Sequence, residues 1–119
     1  MGPLRIAVLG AGPVGLEAAL YARALGHDVS VFEKGKIAEN LLGWGHVTLF
    51  SPWRMNHTPL GRRVLEHSGP AGLPHPEDLL TGAEHARTYL RPLAGSRVLS
   101  GRILEKHRVI SVGREDYLK

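Results

Sequence analysis

Hydrophobic and polar positions along the chain fall into three zones. In the first, Leu4-Arg-Ile-Ala-Val-Leu9 is a short, nearly continuous apolar run of the kind a buried strand shows. Pro13 to Leu25 has helical composition, and Val29-Ser-Val-Phe-Glu33 alternates apolar and polar as a strand does. Gly26 stands where a helix closes in a left-handed cap, with His27-Asp28 as the turn. The zone from Leu4 to Lys34 therefore predicts strand, helix, strand.

The second zone, 35–76, sustains no period and is crowded with Gly, Pro, Trp and His, as in Leu42-Gly-Trp-Gly-His46 and Phe50-Ser-Pro-Trp-Arg-Met-Asn56. A stretch of about forty residues without a regular element is unusual in a compact domain unless it wraps a ligand or forms a binding surface. One short helix is expected there, from Gly61 to His67. In the third zone Thr81-Gly-Ala-Glu84 has capping-box spacing and opens a helix through about Leu90, which Pro92 ends or kinks. Two β-like runs come next, 102–106 and 108–113. The second, with Val109, Ile110 and Val112, is expected to join the first two strands. No internal repeat interrupts this order, and the fold class is α/β, a Rossmann-like parallel sheet, incomplete. Residues 1–119 read as a single domain, 35–76 as a long excursion within it.

Composition narrows the function classes. An apolar fraction of 43% and a charged fraction of 22% are ordinary for a globular chain, and no apolar run approaches the roughly 20 residues needed to span a bilayer. No membrane association is expected. Met1-Gly-Pro-Leu-Arg-Ile6 leads straight into the first strand with no secretory signal pattern, so a cytoplasmic location is expected. Without cysteine the chain carries no disulfide, thiolate zinc site or redox dithiol, and redox chemistry falls to a bound cofactor. The net charge of +4 comes from Lys and Arg scattered from Arg5 to Lys119, so no nucleic-acid partner is expected.

Gly10-Ala-Gly12-Pro-Val-Gly15 is a G-x-G-x-x-G that comes directly after an apolar strand and directly opens a helix. Glu33 answers it at the end of the next strand, 18 residues after the last glycine. Gly10 permits the tight turn, Gly12 leaves the backbone open to a pyrophosphate, and Gly15 lets helix and strand approach closely. The N–H groups of Ala11, Gly12, Val14 and their neighbours, with the positive helix end, suit a diphosphate; Pro13 loses nothing in the first helical turn. Glu33 can accept hydrogen bonds from the adenosine ribose and would repel a 2′-phosphate, and Lys34 stands at the same ribose edge. The expectation is a bound ADP moiety.

The fingerprint serves FAD and NAD alike, so the segment beyond Glu33 decides between them. Simple NAD-binding domains repeat their βαβ units without interruption, whereas here the excursion intervenes and suits an extended cofactor. The stretch from Ile6 to Lys34 resembles the FAD-dependent oxidoreductases of the two-dinucleotide-binding-domain class, especially flavin-containing monooxygenase-like members. Gly43-Trp44-Gly45, Tyr89-Leu90 and Val109-Ile-Ser-Val112 resemble that family more loosely. The resemblance implies Trp44 near the flavin, a Val109 backbone contact to adenine, and FAD as cofactor with NAD(P)H as electron donor in the complete enzyme. Such proteins complete the site with a later strand and often carry a second glycine-rich motif. Neither is present here, so the chain reads as the N-terminal portion of a longer flavoprotein, not active alone, with a small-molecule substrate and a homo-oligomeric or completing chain as partner. No catalytic residue is assigned.

Rival readings are the NAD-binding domain of a dehydrogenase and a non-catalytic nucleotide-binding module. The histidines, among them His46, His57 and His85, show no metal-ligand spacing, and no metal is expected. His46 and His57 could face a flavin, though a structural loop role is the plainer reading. Trp44 and Trp53 either cover the flavin or pack the excursion onto the core. Arg54 reads as a surface residue, and Glu77-Asp78 as the decoration of a helix start.

Overall fold

The structure, a computed structural model, describes residues 2–68 and 72–116. The glycine zone folds as its pattern dictates. Strand β1 (Arg5–Leu9) leads into helix α1 (Pro13–Ala24), and strand β2 (Asp28–Phe32) pairs parallel with β1 in the register Arg5 to Asp28 through Leu9 to Phe32. Gly26, at φ +91, reverses the chain between α1 and β2, where a side chain would be strained. Leu16, Ala19 and Leu20 on one face of α1 pack with Val29 and Val31 of β2 as the centre of the core.

Beyond β2 the chain is less irregular than its composition suggests. Helix α2 (Glu39–Leu42), a 3-10 turn at Trp53–Met55 and helix α3 (Pro59–Ser68) give the excursion three short elements. Trp53 is buried in the core, so it packs the excursion rather than covering a ligand. Glu77 and Asp78 start no helix: Glu77 pairs with Arg54 at 2.9 Å, and Asp78 accepts the His75 N–H at 3.0 Å.

Thr81 caps the next helix. Its Oγ1 accepts the Glu84 N–H at 3.1 Å, and Glu84 Oε1 accepts the Thr81 N–H at 3.1 Å, the reciprocal pair that T-x-x-E spacing implies. Those bonds from Thr81 hold the Glu84 carboxyl below its usual range. Helix α4 (Gly82–His85) continues through a π-turn (Ala86–Leu90) into α5 (Arg91–Ala94), so Pro92 does not end it. The Arg91 N–H reaches back five residues to Ala86, and this wider turn accommodates a proline that has no N–H to give and would crowd a carbonyl four residues back.

The third strand, β3 (Ile103–Leu104), lies within the β-like run 102–106, and it is this run, not the one around Val109, that joins the sheet. It pairs parallel with β2, giving the order β1-β2-β3. Arg102 fixes the register through Asp28, at 2.8 Å, and the Val29 carbonyl, at 3.2 Å. Lys106, at φ +57, then turns the chain, so Val109 leaves the sheet but returns beside the glycine loop. The result is a mixed α/β fold with a three-stranded parallel sheet, a partial Rossmann-like arrangement. Among the described residues no helix is long and apolar enough to cross a membrane.

Candidate functional site

The three glycines of the loop have three different surroundings. Gly10 lies at φ +106, and its N–H donates to the Phe32 carbonyl at 2.8 Å, extending the β1–β2 ladder into the turn. At Gly15 a Cβ would overlap the Gly10 carbonyl oxygen, so helix and strand touch there. At Gly12 a Cβ would meet nothing within 4 Å. Gly12 is thus bare for approach from outside, while Gly15 is bare for internal packing. No side chain caps the N-terminus of α1 and no acidic residue sits in its first turn, leaving the positive helix end open to an anion.

Glu33 closes over this loop from β2. Its Oε1 accepts the Ala11 N–H at 2.9 Å and its Oε2 accepts the Gly35 N–H at 2.7 Å. The Ala11 carbonyl in turn accepts the Ala38 N–H at 2.9 Å. A carboxylate offers about four acceptor positions, so two remain for hydroxyl groups of a ligand.

Two cavities flank the loop. The smaller, of about 480 Å³, is lined by Gly10, Glu33, Lys34 and the 107–112 segment that includes Val109. The larger, of about 760 Å³, is lined by Gly12, Pro13 and Val14 on one side and by Trp44, Met55 and His57 from the excursion. The sequence-derived residues are therefore brought together in two groups: Gly10, Glu33, Lys34 and Val109 around one space, and Gly12, Pro13, Val14 and Trp44 around the other. Ala11 is buried between them and Gly15 lies beneath. His46 lines neither cavity, whereas His57 lines the larger. Among the described residues no three His, Asp or Glu side chains gather as a metal ligand set.

A polar and aromatic cluster that the sequence pattern did not single out lines and underlies the larger cavity. Glu17, one turn into α1 from Pro13, accepts three hydrogen bonds: from Tyr89 Oη at 2.7 Å, Thr58 Oγ1 at 2.7 Å and the Thr58 N–H at 3.2 Å. Burial first, and the Glu17 carboxylate second, push the Tyr89 hydroxyl far above its usual range. Tyr89 therefore stays a donor. Gly61 is bare because a Cβ would overlap that hydroxyl.

His57 stacks on Trp53 with ring centroids 3.7 Å apart, and both His57 and His85 lie against Tyr89, at 5.6 and 5.5 Å. Burial, then the neighbouring His57, lowers His85 to about 4, so it is neutral near pH 7. The sequence marked His57, Trp53 and Tyr89 one by one but not their link to Glu17, whose partners are 41 and 72 residues away.

A family model described as pyridine nucleotide-disulphide oxidoreductase matches residues 5–42, about a third of the chain. The matched stretch holds β1, the glycine loop, α1, β2 with Glu33, and α2. No curated protein matches the chain. The match and the fold support a nucleotide-binding oxidoreductase module whose cofactor is FAD or NAD(P).

Proposed function

We propose that the chain is the FAD-holding part of a flavin-dependent oxidoreductase, possessing one extended cofactor site that crosses the glycine loop. The observation that carries this reading is the pair of cavities on either side of the loop, one reached past Gly10 and the other past Gly12. A dinucleotide is a ligand with two ends and a charged middle. Adenosine takes the Glu33–Val109 space, with the ribose on Glu33 and Lys34 beside it. The diphosphate crosses Gly12, where the open Cβ position leaves room, and meets the N–H groups of Val14 and Gly15 in the first turn at the helix end. The larger cavity, within the usual 300–1,000 Å³ of ligand pockets, takes the ring, with Trp44 on its wall.

Bound FAD would supply two-electron redox chemistry at its ring, while this chain binds, orients and shields it. A small-molecule substrate, NAD(P)H as electron donor, monooxygenase-like chemistry and a completing or second chain belong to the same proposal. Titration with FAD, ADP and NADH, monitored by fluorescence, tests it. FAD and ADP are expected to bind and NADH to bind less tightly; NADH-selective binding would move the assignment to a dehydrogenase module. Gly12→Val is the matched control. Its backbone, at φ −88, accepts any residue and its surroundings are empty, so the variant should fold normally yet lose FAD and ADP binding. Unchanged affinity would remove the loop from the site.

A further inference from the structure

The larger cavity is apolar over most of its wall, from Val14, Leu41, Trp44, Leu49 and Met55, and polar around His57 and His85. Three of the polar groups there, Glu17, Thr58 and Asn56, are already committed. Glu17 takes three donors, and Thr58 Oγ1 donates to Glu17 while accepting the Gly61 N–H at 3.0 Å. The Asn56 side chain is spent on Ser51, at 2.9 and 3.2 Å.

His57 differs. Its Nδ1 lies 2.7 Å from the Trp53 carbonyl, which can only accept, so Nδ1 carries a proton and in that tautomer Nε2 is the acceptor of the ring. Stacking on Trp53 fixes the ring plane. Nε2 has no partner among the described residues and is not sealed from solvent. A second, independent sign comes from the neighbouring wall: His85, only 2% exposed, lines the same cavity, and its Nδ1 has no hydrogen-bond partner. A buried polar atom left unpaired costs about 1–3 kcal/mol and is kept where a site needs it.

We infer that this cavity binds a small aromatic or otherwise apolar molecule carrying one hydroxyl group, which donates its proton in a hydrogen bond to His57 Nε2. The inference goes beyond the cofactor assignment but shares the cavity that the proposed function gives to the flavin ring, so it is tested on the cofactor-free chain, where added FAD is expected to displace the small molecule. Aromatic walls favour a flat ring, and an oriented acceptor in a mostly apolar enclosure favours a hydroxyl donor. The charged groups around His57 are Glu17 from α1 and Arg62, Arg63 and Glu66 from α3, with Arg54 from the 3-10 turn. The arginines line a separate outer groove of about 440 Å³ that also touches His57.

The test compares 4-chlorophenol, whose hydroxyl stays protonated at neutral pH, with its methyl ether, 4-chloroanisole, on the whole chain. One net hydrogen bond of about 1.4 kcal/mol predicts roughly tenfold tighter binding of the phenol. His57→Phe keeps the stacked ring and should abolish that preference while leaving the ether's affinity unchanged. If the variant does not fold, nitrogen NMR of the unaltered protein answers instead: the unprotonated Nε2 signal of His57 should shift on adding the phenol and not on adding the ether. Equal affinities, binding of neither probe, a preference surviving in His57→Phe, or an unmoved Nε2 signal would each overturn the inference. So would phenol binding that is lost in Arg63→Gln, which would locate the probe in the outer groove. ADP binding measured in parallel keeps the two readings apart, because it reports on the glycine loop alone.

Discussion

Glu33→Gln is the substitution whose expected effect the structure changes most. From the sequence, glutamine looks mild, because an amide still accepts a hydrogen bond from ribose. The structure shows each carboxylate oxygen already accepting a backbone N–H, from Ala11 and from Gly35. Glutamine has one acceptor oxygen, so its NH₂ group would face an N–H donor. The variant should lose about 1–3 kcal/mol of stability even without ligand, in addition to weaker ADP binding. Urea denaturation of the ligand-free protein checks this; an unchanged midpoint would mean the Glu33 bonds contribute nothing to the loop. Gly15→Ala is likewise a folding lesion, since its Cβ would overlap the Gly10 carbonyl, whereas Gly12→Val acts on the ligand. The open surroundings of Gly12 and the close packing at Gly15 are both readable in the sequence, because they come from local geometry shared by any strand–loop–helix unit of this spacing.

At the scale of elements, legibility tracked sequence distance. The strand, helix and strand of the first 34 residues came within a residue of the observed bounds, since their periods and caps are local. Thr81 is the same kind of case. Its Oγ1 serves the Glu84 N–H, so Thr81→Ala should destabilise the protein by about 1 kcal/mol, measured by thermal or urea melting, with Thr81→Ser restoring most of the loss. No change on removing Thr81 Oγ1 would mean that packing alone fixes that helix start. What was not legible depended on distant partners. β3 falls within the β-like run 102–106, but two residues carry no period, and which of the two late runs joins the sheet is set by partners about seventy residues away, the Val31 N–H on the Arg102 carbonyl and the Glu33 N–H on the Leu104 carbonyl. The π-turn before Pro92 could not be read either: the sequence offers a proline that breaks or bends a helix, and the way the turn widens is settled by Tyr89 and Leu90 packing into the core. The cavity cluster belongs with these, since Glu17, Thr58 and Tyr89 come from three separate elements.

The whole molecule is elongated, 50 × 31 × 22 Å, with a radius of gyration of 15.3 Å against roughly 13–14 Å for a compact chain of this length. His85, 2% exposed against Tyr89, ties the stability of this fold to pH. In the unfolded chain it titrates near 6.5, and in the fold burial lowers it to about 4. Above 6.5 both states are neutral and the favourable contribution is fully present. Between 6.5 and about 4 the unfolded histidine takes up a proton that the folded one refuses, so stability falls as the solution is acidified; below about 4 the folded histidine is protonated as well and this contribution is gone. The loss attributable to His85 has an upper bound of about 3 kcal/mol. Urea denaturation at about pH 7 and about pH 5 measures it, and His85→Phe, which keeps a ring against Tyr89, isolates it from the exposed histidines. The variant should show a shallower decline between those two conditions than the unaltered protein. Parallel declines would mean that His85 is free to protonate in the fold, and that the polar end of the larger cavity carries a charge in mild acid.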